Sequence, residues 1–223
     1  LIEQLNPLNE NQYRTEDGYV DFEIKKDKIN IKGFPSKELI IRRSQNGPIL
    51  TGEQFNLKEI IPEGYVGALS WSALSTKNTS LQAAIRVMKA QSVDEIISAG
   101  ADYFAPAQNL VAADKNNIAM KTIGKIPNRN VNHETYAQTP ANGWIANNRW
   151  RGYLPYSSNP EISAPKNGLV FNTNNKVVSE QFPNHISYDY GDTQRHKRLE
   201  KLLSSLSRSY VRKFYRISTR YYQ

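Results

Sequence analysis

The sequence predicts an α/β (α+β) fold in which antiparallel sheets are layered with helices. Three observations carry that expectation: alternating apolar residues between Val20 and Ile31, two consecutive helical patterns between Leu81 and Ile97, and a pair of strand-like runs between Asn109 and Ile123. Strands, a helical pair, strands and another helix, in that order, suit sheets with helices packed on them.

Val20, Phe22 and Ile24 alternate with polar residues, and Ile29 and Ile31 do so again, which predicts two strands joined by a turn at residues 25–27. Residues 38–43 form a third strand, broken at Asn46-Gly47-Pro48. The mainly apolar run over residues 65–74 reads as a central strand. Leu81, Ala84, Ile85 and Met88 fall at helical spacing. Ser92 and Glu95 have capping-box form before a second helix whose apolar face starts at Ile96 and Ile97. Residues 109–113 and 118–123 pair around Lys115-Asn116-Asn117, a turn sequence. Residues 127–168 are rich in Asn, Pro and Ser and lack periodicity, which predicts a long irregular connection. Leu199, Leu202, Leu203 and Leu206 mark a last helix, capped by Asp192.

With 223 residues, 13 Tyr and 7 Phe the chain has the material for a substantial core, and no run reaches the length of a membrane span. Cysteine is absent, which excludes disulfides, thiol catalysis and thiolate metal sites. His133, His185 and His196 are too scattered for a zinc motif, so neither a metal nor a cofactor is expected. The net charge of +8 comes from the end of the chain, where residues 195–223 hold nine basic side chains and one acid. The remainder is neutral, with twenty of each. A nucleic-acid role for the body of the chain is therefore not expected.

Residues 150–175 end in Asn172, Asn174 and Asn175, directly after the apolar run Leu169-Val170-Phe171. Asparagine is common in turns, so the cluster fits a polar turn that caps its own backbone. An amide held rigidly at a strand end also fits an aimed donor, which an oxyanion hole requires. Several neighbouring elements come in a telling order. They are Gln108-Asn109-Leu110-Val111-Ala112-Ala113-Asp114, then Gly124 to Arg129 (GKIPNR), then Trp150-Arg151-Gly152-Tyr153-Leu154-Pro155, then Asn159-Pro160 and the asparagine cluster. In this order the chain resembles the β subunit of the penicillin amidases (penicillin acylases), which are N-terminal-nucleophile hydrolases. The resemblance runs over about residues 13–203. Upstream, Ile41 to Leu50 resembles a family element that usually reads His-Gly-Pro, with Asn46 in place of the histidine.

The resemblance implies part of a four-layer αββα core over residues 1–203, followed by a basic, aromatic segment, residues 204–223, without family likeness. It implies hydrolysis of linear amides of N-acylated small molecules such as β-lactams or acyl-homoserine lactones. The family's catalytic serine opens the β subunit and uses its own α-amine as base. The Ser-Asn segment that carries it does not occur in this chain, whose Leu1 matches a position roughly a hundred residues further on. The chain is thus expected to be a fragment, inactive alone, with the upstream part of the same precursor as its partner. Its compartment by family is periplasmic or extracellular.

Two active-site residues carry over. The asparagine cluster places Asn174 at the oxyanion-hole asparagine, with Asn172 and Asn175 as competitors if the register slips. Gly191 to Leu203 resembles the element that holds the family's active-site arginine, which puts Arg195 in that role. A planar fork of donors can orient an amide where a lysine could not. Trp71 and Gln108 match substrate-binding positions of the acyl pocket, although Trp71 on an apolar run equally suits plain core. An amide at residue 108 argues against a strictly aromatic acyl group. Some members bind structural calcium, but no carboxylate near residues 183–185 matches, so no metal ligand carries over. The rival expectation is a non-catalytic protein that binds nucleic acid or an anionic surface through Arg208, Tyr210, Arg212, Lys213, Phe214 and their neighbours.

Overall fold

The structure is a computed structural model that describes residues 1–50 and 56–204. The chain divides into two units, Leu1–Lys77 with Pro127–Leu154, and Asn78–Ile126 with the chain from Pro155 onward. Ten strands and three α-helices are present among the described residues.

In the first unit, β1 (Ile2–Asn6), β2 (Asn9–Thr15), β3 (Gly18–Asp21) and β7 (Tyr65–Gly67) form an antiparallel sheet of order β3-β2-β1-β7. β4 (Glu23–Ile29), β5 (Lys37–Ser44) and β6 (Gly47–Pro48) form a second. Two expectations are corrected here. Residues 25–27 are not a turn: they lie inside β4, where Lys25, Lys26 and Asp27 pair with Ile41, Ile40 and Leu39. The chain reverses instead between β4 and β5 around Gly33, whose φ of +81° suits glycine. The run 65–74 is not a central strand either. Only Tyr65–Gly67 forms a strand, at the edge of its sheet, and Ala68 adds a single antiparallel bridge to Ile49. Beyond it the Leu69 N–H donates to the Pro48 carbonyl at 2.9 Å, and Ser72–Leu74 turns as a 3-10 helix. A side chain at residue 47 would sit 2.0 Å from the Leu69 carbonyl oxygen, so only glycine permits this approach.

The centre of the first unit is polar. Glu3 is fully buried, and its Oε1 accepts from Ser44 Oγ at 2.6 Å and Asn46 Nδ2 at 2.8 Å. Asn46 Nδ2 also donates to the Gly143 carbonyl at 3.1 Å. Backbone bonds from the Ile2 N–H to Ala141 and from the Gly143 N–H to Ile2, both 2.8 Å, close the same spot. Asn46 thereby holds the turn together as a donor. Tyr13 and Phe22 stack at 4.8 Å as the apolar counterpart.

The second unit pairs β8 (Gln108–Ala113) with β9 (Ile118–Ile123) and β9 with β10 (Glu161–Ser163), all antiparallel. Asp114 fixes the β8–β9 turn, its Oδ1 accepting from the N–H groups of Asn116 and Asn117 at 2.7 and 2.8 Å. Its Oδ2 takes the N–H of Val93, the first residue of α2 (Val93–Ala99), at 2.8 Å. These backbone donors hold the Asp114 carboxyl below its ordinary pKa. Ser92 caps α2 as expected, accepting from the Glu95 N–H at 3.2 Å. The Glu95 carboxylate reaches one residue further back than a capping box requires, to the Gln91 N–H at 2.7 Å. Val93, Ala112 and Ala119 form the core cluster, with Ile96 and Ile97 packed against it.

The preceding helix, α1 (Ser80–Lys89), shows the residues of its expected apolar face to the outside. Leu81, Ala84, Ile85 and Met88 are exposed and Ala83 is buried. Hydrogen bonds at its start set this rotation. Thr79 Oγ1 donates to the Asp102 carbonyl at 2.6 Å and Ser80 Oγ to that of Ala105 at 3.0 Å. The long connection is irregular as expected, apart from short 3-10 turns and β10. Asn159 anchors its end, donating from Nδ2 to the Thr122 and Gly124 carbonyls at 2.9 and 3.0 Å. The last helix, α3 (Gln194–Ser204), begins where Asp192 Oδ1 accepts from the Gln194 N–H at 2.8 Å. Leu206 lies outside the described residues.

Candidate active site

Residues 172–175 form a turn in which the three asparagines do different work. Asn175 is buried, and its Oδ1 accepts from the Thr173 N–H at 3.0 Å, Thr173 Oγ1 at 3.2 Å and Asn172 Nδ2 at 3.4 Å. Its Nδ2 donates to the Lys176 carbonyl at 3.0 Å. Asn172 closes the turn from the other side, its Oδ1 accepting from the Asn174 N–H at 3.1 Å. Both side chains are thus used up in shaping the loop, as the turn reading of the cluster requires.

Asn174 is held differently. Its φ of +66° places it in the left-handed region, which asparagine tolerates better than most residues. Its carbonyl accepts from the Gly191 N–H at 2.7 Å. Arg195, in the first turn of α3, donates from Nη2 to Asn174 Oδ1 at 3.0 Å and to the Thr173 carbonyl at 2.7 Å. A guanidinium can only donate, so the atom it faces must be the amide oxygen. That sets the orientation of the amide and leaves Nδ2 directed away from Arg195. Asn174 is exposed, and none of its hydrogen bonds among the described residues uses Nδ2. Gly191 is needed for the fit, since a Cβ there would meet the Asn174 carbonyl oxygen at 3.1 Å, its Cβ at 3.2 Å and Arg195 Nη2 at 3.4 Å.

Asn174 and Gln108 line the same cavity of about 390 Å³, together with Tyr190, Ile186 and Asp189. Gln108 is the exposed first residue of β8. Trp71 belongs to the first unit, 50% exposed rather than core, on the wall of a cavity of about 460 Å³ with Arg43, Ser70, Trp150 and Tyr153. Of the expected site residues, Gln108, Asn174 and Arg195 form one cluster in the second unit, and Trp71 belongs to the first. Two contributors escaped the sequence reading, the Thr173 carbonyl and Tyr190. The first is backbone and leaves no trace in residue type. The second stands immediately before Gly191, one residue outside the element that located Arg195. Among the described residues no three His, Cys, Asp or Glu side chains converge into a metal-holding group. No helix among them is long and apolar enough to cross a membrane. The basic segment invoked for nucleic-acid or surface binding falls on residues 205–223, outside the described residues.

The chain matches the penicillin amidase family over residues 1–220, nearly its full length and past Leu203 into the basic segment. It belongs to that family. It is 25% identical over 183 residues to a penicillin acylase 2 proenzyme of Pseudomonas sp. strain SE83, an alignment that covers 81% of this chain and 22% of the relative. It is 27% identical over 175 residues to the acyl-homoserine lactone acylase QuiP of Pseudomonas fluorescens Pf-5, covering 78% of this chain and 21% of that protein. The chain thus spans about a fifth of the length of these curated relatives. The structure of a thermostable penicillin G acylase from Alcaligenes faecalis superposes with a TM-score of 0.82 at 23% identity, over 99% of this chain and 38% of the other. The fold of this penicillin amidase family member is therefore the α+β fold of that acylase. The family is one of amidohydrolases, and the members named here are acylases.

Proposed function

We propose that this chain supplies the oxyanion-binding side of an acylase site that hydrolyses linear amides of N-acylated small molecules. The observation that carries this reading is the Arg195–Asn174 pair, which engages the amide oxygen of a residue on a cavity wall and leaves Nδ2 without a partner among the described residues. When a nucleophile adds to the scissile carbonyl, its oxygen becomes an oxyanion. A fixed N–H donor stabilises that charge most where it needs no reorganisation. Asn174 Nδ2 is the donor in this scheme. Arg195 is a positioning residue: it touches Asn174 and not the reacting atoms, and its charge polarises the amide toward donation.

Trp71 and Gln108 are assigned to binding the acyl group, and the substrate class follows the relatives' names, acyl β-lactams or acyl-homoserine lactones. The Ser-Asn pair of this chain, Ser158-Asn159, lies in its interior with the Asn159 amide committed to the Thr122 and Gly124 carbonyls, so the attacking residue is assigned to another part of the precursor. On this reading the isolated chain is inactive, its partner is the rest of the precursor, and the compartment is periplasmic or extracellular.

A hydrolysis assay with chromogenic phenylacetyl and aliphatic acyl anilides tests the assignment. The expected result is no turnover by the chain alone and recovery on supplying the nucleophile-bearing part. In the recovered enzyme Asn174→Ala lowers kcat by ~10²–10³ with little change in KM. Turnover by the isolated chain would overturn the placement of the nucleophile, and an unaffected Asn174→Ala enzyme the role of the amide.

A further inference from the structure

The hairpin of β4 and β5 takes no part in the proposed acylase site. All residues from 23 to 40 are exposed, so both faces of this two-stranded ribbon are open to water. Such a ribbon has no core of its own. Its end is nonetheless held in shape. The Phe34 N–H donates to the Ile31 carbonyl at 3.1 Å across the turn at Gly33, and Ser36 Oγ donates to Asn30 Oδ1 at 3.1 Å. The turn shows its apolar side chains to solvent: Phe34 is 73% exposed, Ile29 47% and Ile31 43%. Single exposed apolar residues are ordinary, but several gathered at one turn mark a contact surface.

Charge is sorted along the hairpin. Asp27 Oδ2 takes Lys25 Nζ at 3.3 Å, and Glu38 Oε1 takes Lys26 Nζ at 3.9 Å. Residues 28–37 hold Lys28, Lys32 and Lys37 and no acid, and none of these three forms an ion pair among the described residues. The register places Ile29 opposite Lys37 on one face, and Lys28 therefore lies on the other. A protein partner laid along the ribbon would cover one face. Here cations stand on both faces and the apolar residues gather at the turn, so the complementary surface is met end-on, apolar inside and anionic at its border. We propose that the tip of this hairpin, residues 28–37, docks on an anionic lipid bilayer. Phe34, with Ile29 and Ile31, enters the boundary between headgroups and acyl chains, while Lys28, Lys32 and Lys37 contact lipid phosphates. The proposal does not depend on the role of Asn174.

The test uses the full 223-residue chain. Because it has no cysteine, Phe34→Cys takes a single thiol-linked nitrobenzoxadiazole fluorophore. Vesicles of equal parts phosphatidylcholine and phosphatidylglycerol should shift its emission to the blue, and vesicles of phosphatidylcholine alone should shift it far less. Sedimentation of the unlabelled chain with the mixed vesicles gives the affinity. Lys32→Gln should weaken it about fivefold, the effect of one lysine charge at an anionic surface. Phe34→Ser should weaken it about tenfold through the lost apolar burial. Binding carried by the basic residues 205–223 would survive both substitutions, and that result, or the absence of a blue shift at residue 34, overturns the proposal. A label shielded by the remainder of the precursor but not by vesicles assigns the tip to a protein contact and overturns it as well.

Discussion

Asn46 and Asn174 are the same side chain put to opposite uses in the two units. Asn46 is buried and its Nδ2 donates twice, to the Glu3 carboxylate and to the Gly143 carbonyl. Asn174 is exposed, its oxygen is taken by Arg195, and its Nδ2 is left over. The first amide is an internal strut whose donor capacity is spent on the fold. The second is braced from behind, so that the unspent donor points in a set direction. What separates the structural asparagine from the one proposed for catalysis is therefore the balance of its hydrogen bonds, and neither burial nor sequence context alone reports it.

Substitutions at the two asparagines should damage opposite properties. Asn174→Ala carries the largest expected effect, the ~10²–10³ loss of kcat given above, with thermal stability nearly unchanged. Asn46→Ala should do the reverse. It removes one donor from the buried Glu3 carboxylate and one from Gly143, and urea unfolding should show a loss of about 1–3 kcal/mol. A stable Asn46→Ala chain would mean that the strut is dispensable. Arg195→Ala comes next: with its oxygen released, the Asn174 amide can rotate, and kcat should fall about tenfold, equivalent to about 1.4 kcal/mol. A kcat unchanged in this variant would show that Asn172 and the Gly191 contact suffice to aim the amide.

The smallest effect concerns Asp114. Its pKa is depressed by the N–H groups of Val93, Asn116 and Asn117, so its contribution is present above the unfolded-state value near pH 4 and is lost as pH falls through the lower folded value. Asp114→Ala should lower Tm by a few degrees at pH 7 and by less at pH 3, measured by circular dichroism. A difference that grew on acidification would contradict the sign of this linkage.

Much of the second unit was legible in the sequence. The Asp114 to Asn117 turn, the Ser92 cap and the periodicity of α3 are local features, set by residues near one another in the chain. Asn174 and Arg195 were legible through motif spacing, and the structure adds the contact between them. The first unit was harder to read because its centre inverts the usual pattern. β1 and β2 carry Glu3, Gln4, Asn9, Glu10 and Asn11, and no apolar alternation announces a strand when the buried residue is a glutamate. The 65–74 run failed for a related reason. Its apolar residues are real, but a close approach of the Gly47 backbone ends the strand after three residues, and that contact is not local. Tyr190 was passed over because the burial of its hydroxyl is a property of the fold that residue type does not carry.

The Glu3 carboxylate has a further consequence, in the order in which the chain is made. Its covering partners are Ser44, Asn46 and Gly143, so the side chain is sealed only after 139 intervening residues have been synthesised. During elongation β1 to β7 can pair, yet the residue at their centre stays open to water until the segment Pro127–Leu154 arrives. The second unit begins and completes its β8–β9 hairpin inside that interval. Closure of the first unit is thus a late, long-range event that waits for an element synthesised after the hairpin of its neighbour. A carboxylate that keeps its hydration through that wait holds the half-built sheet in solution, where an apolar side chain at the same position would offer a sticky surface to other nascent chains.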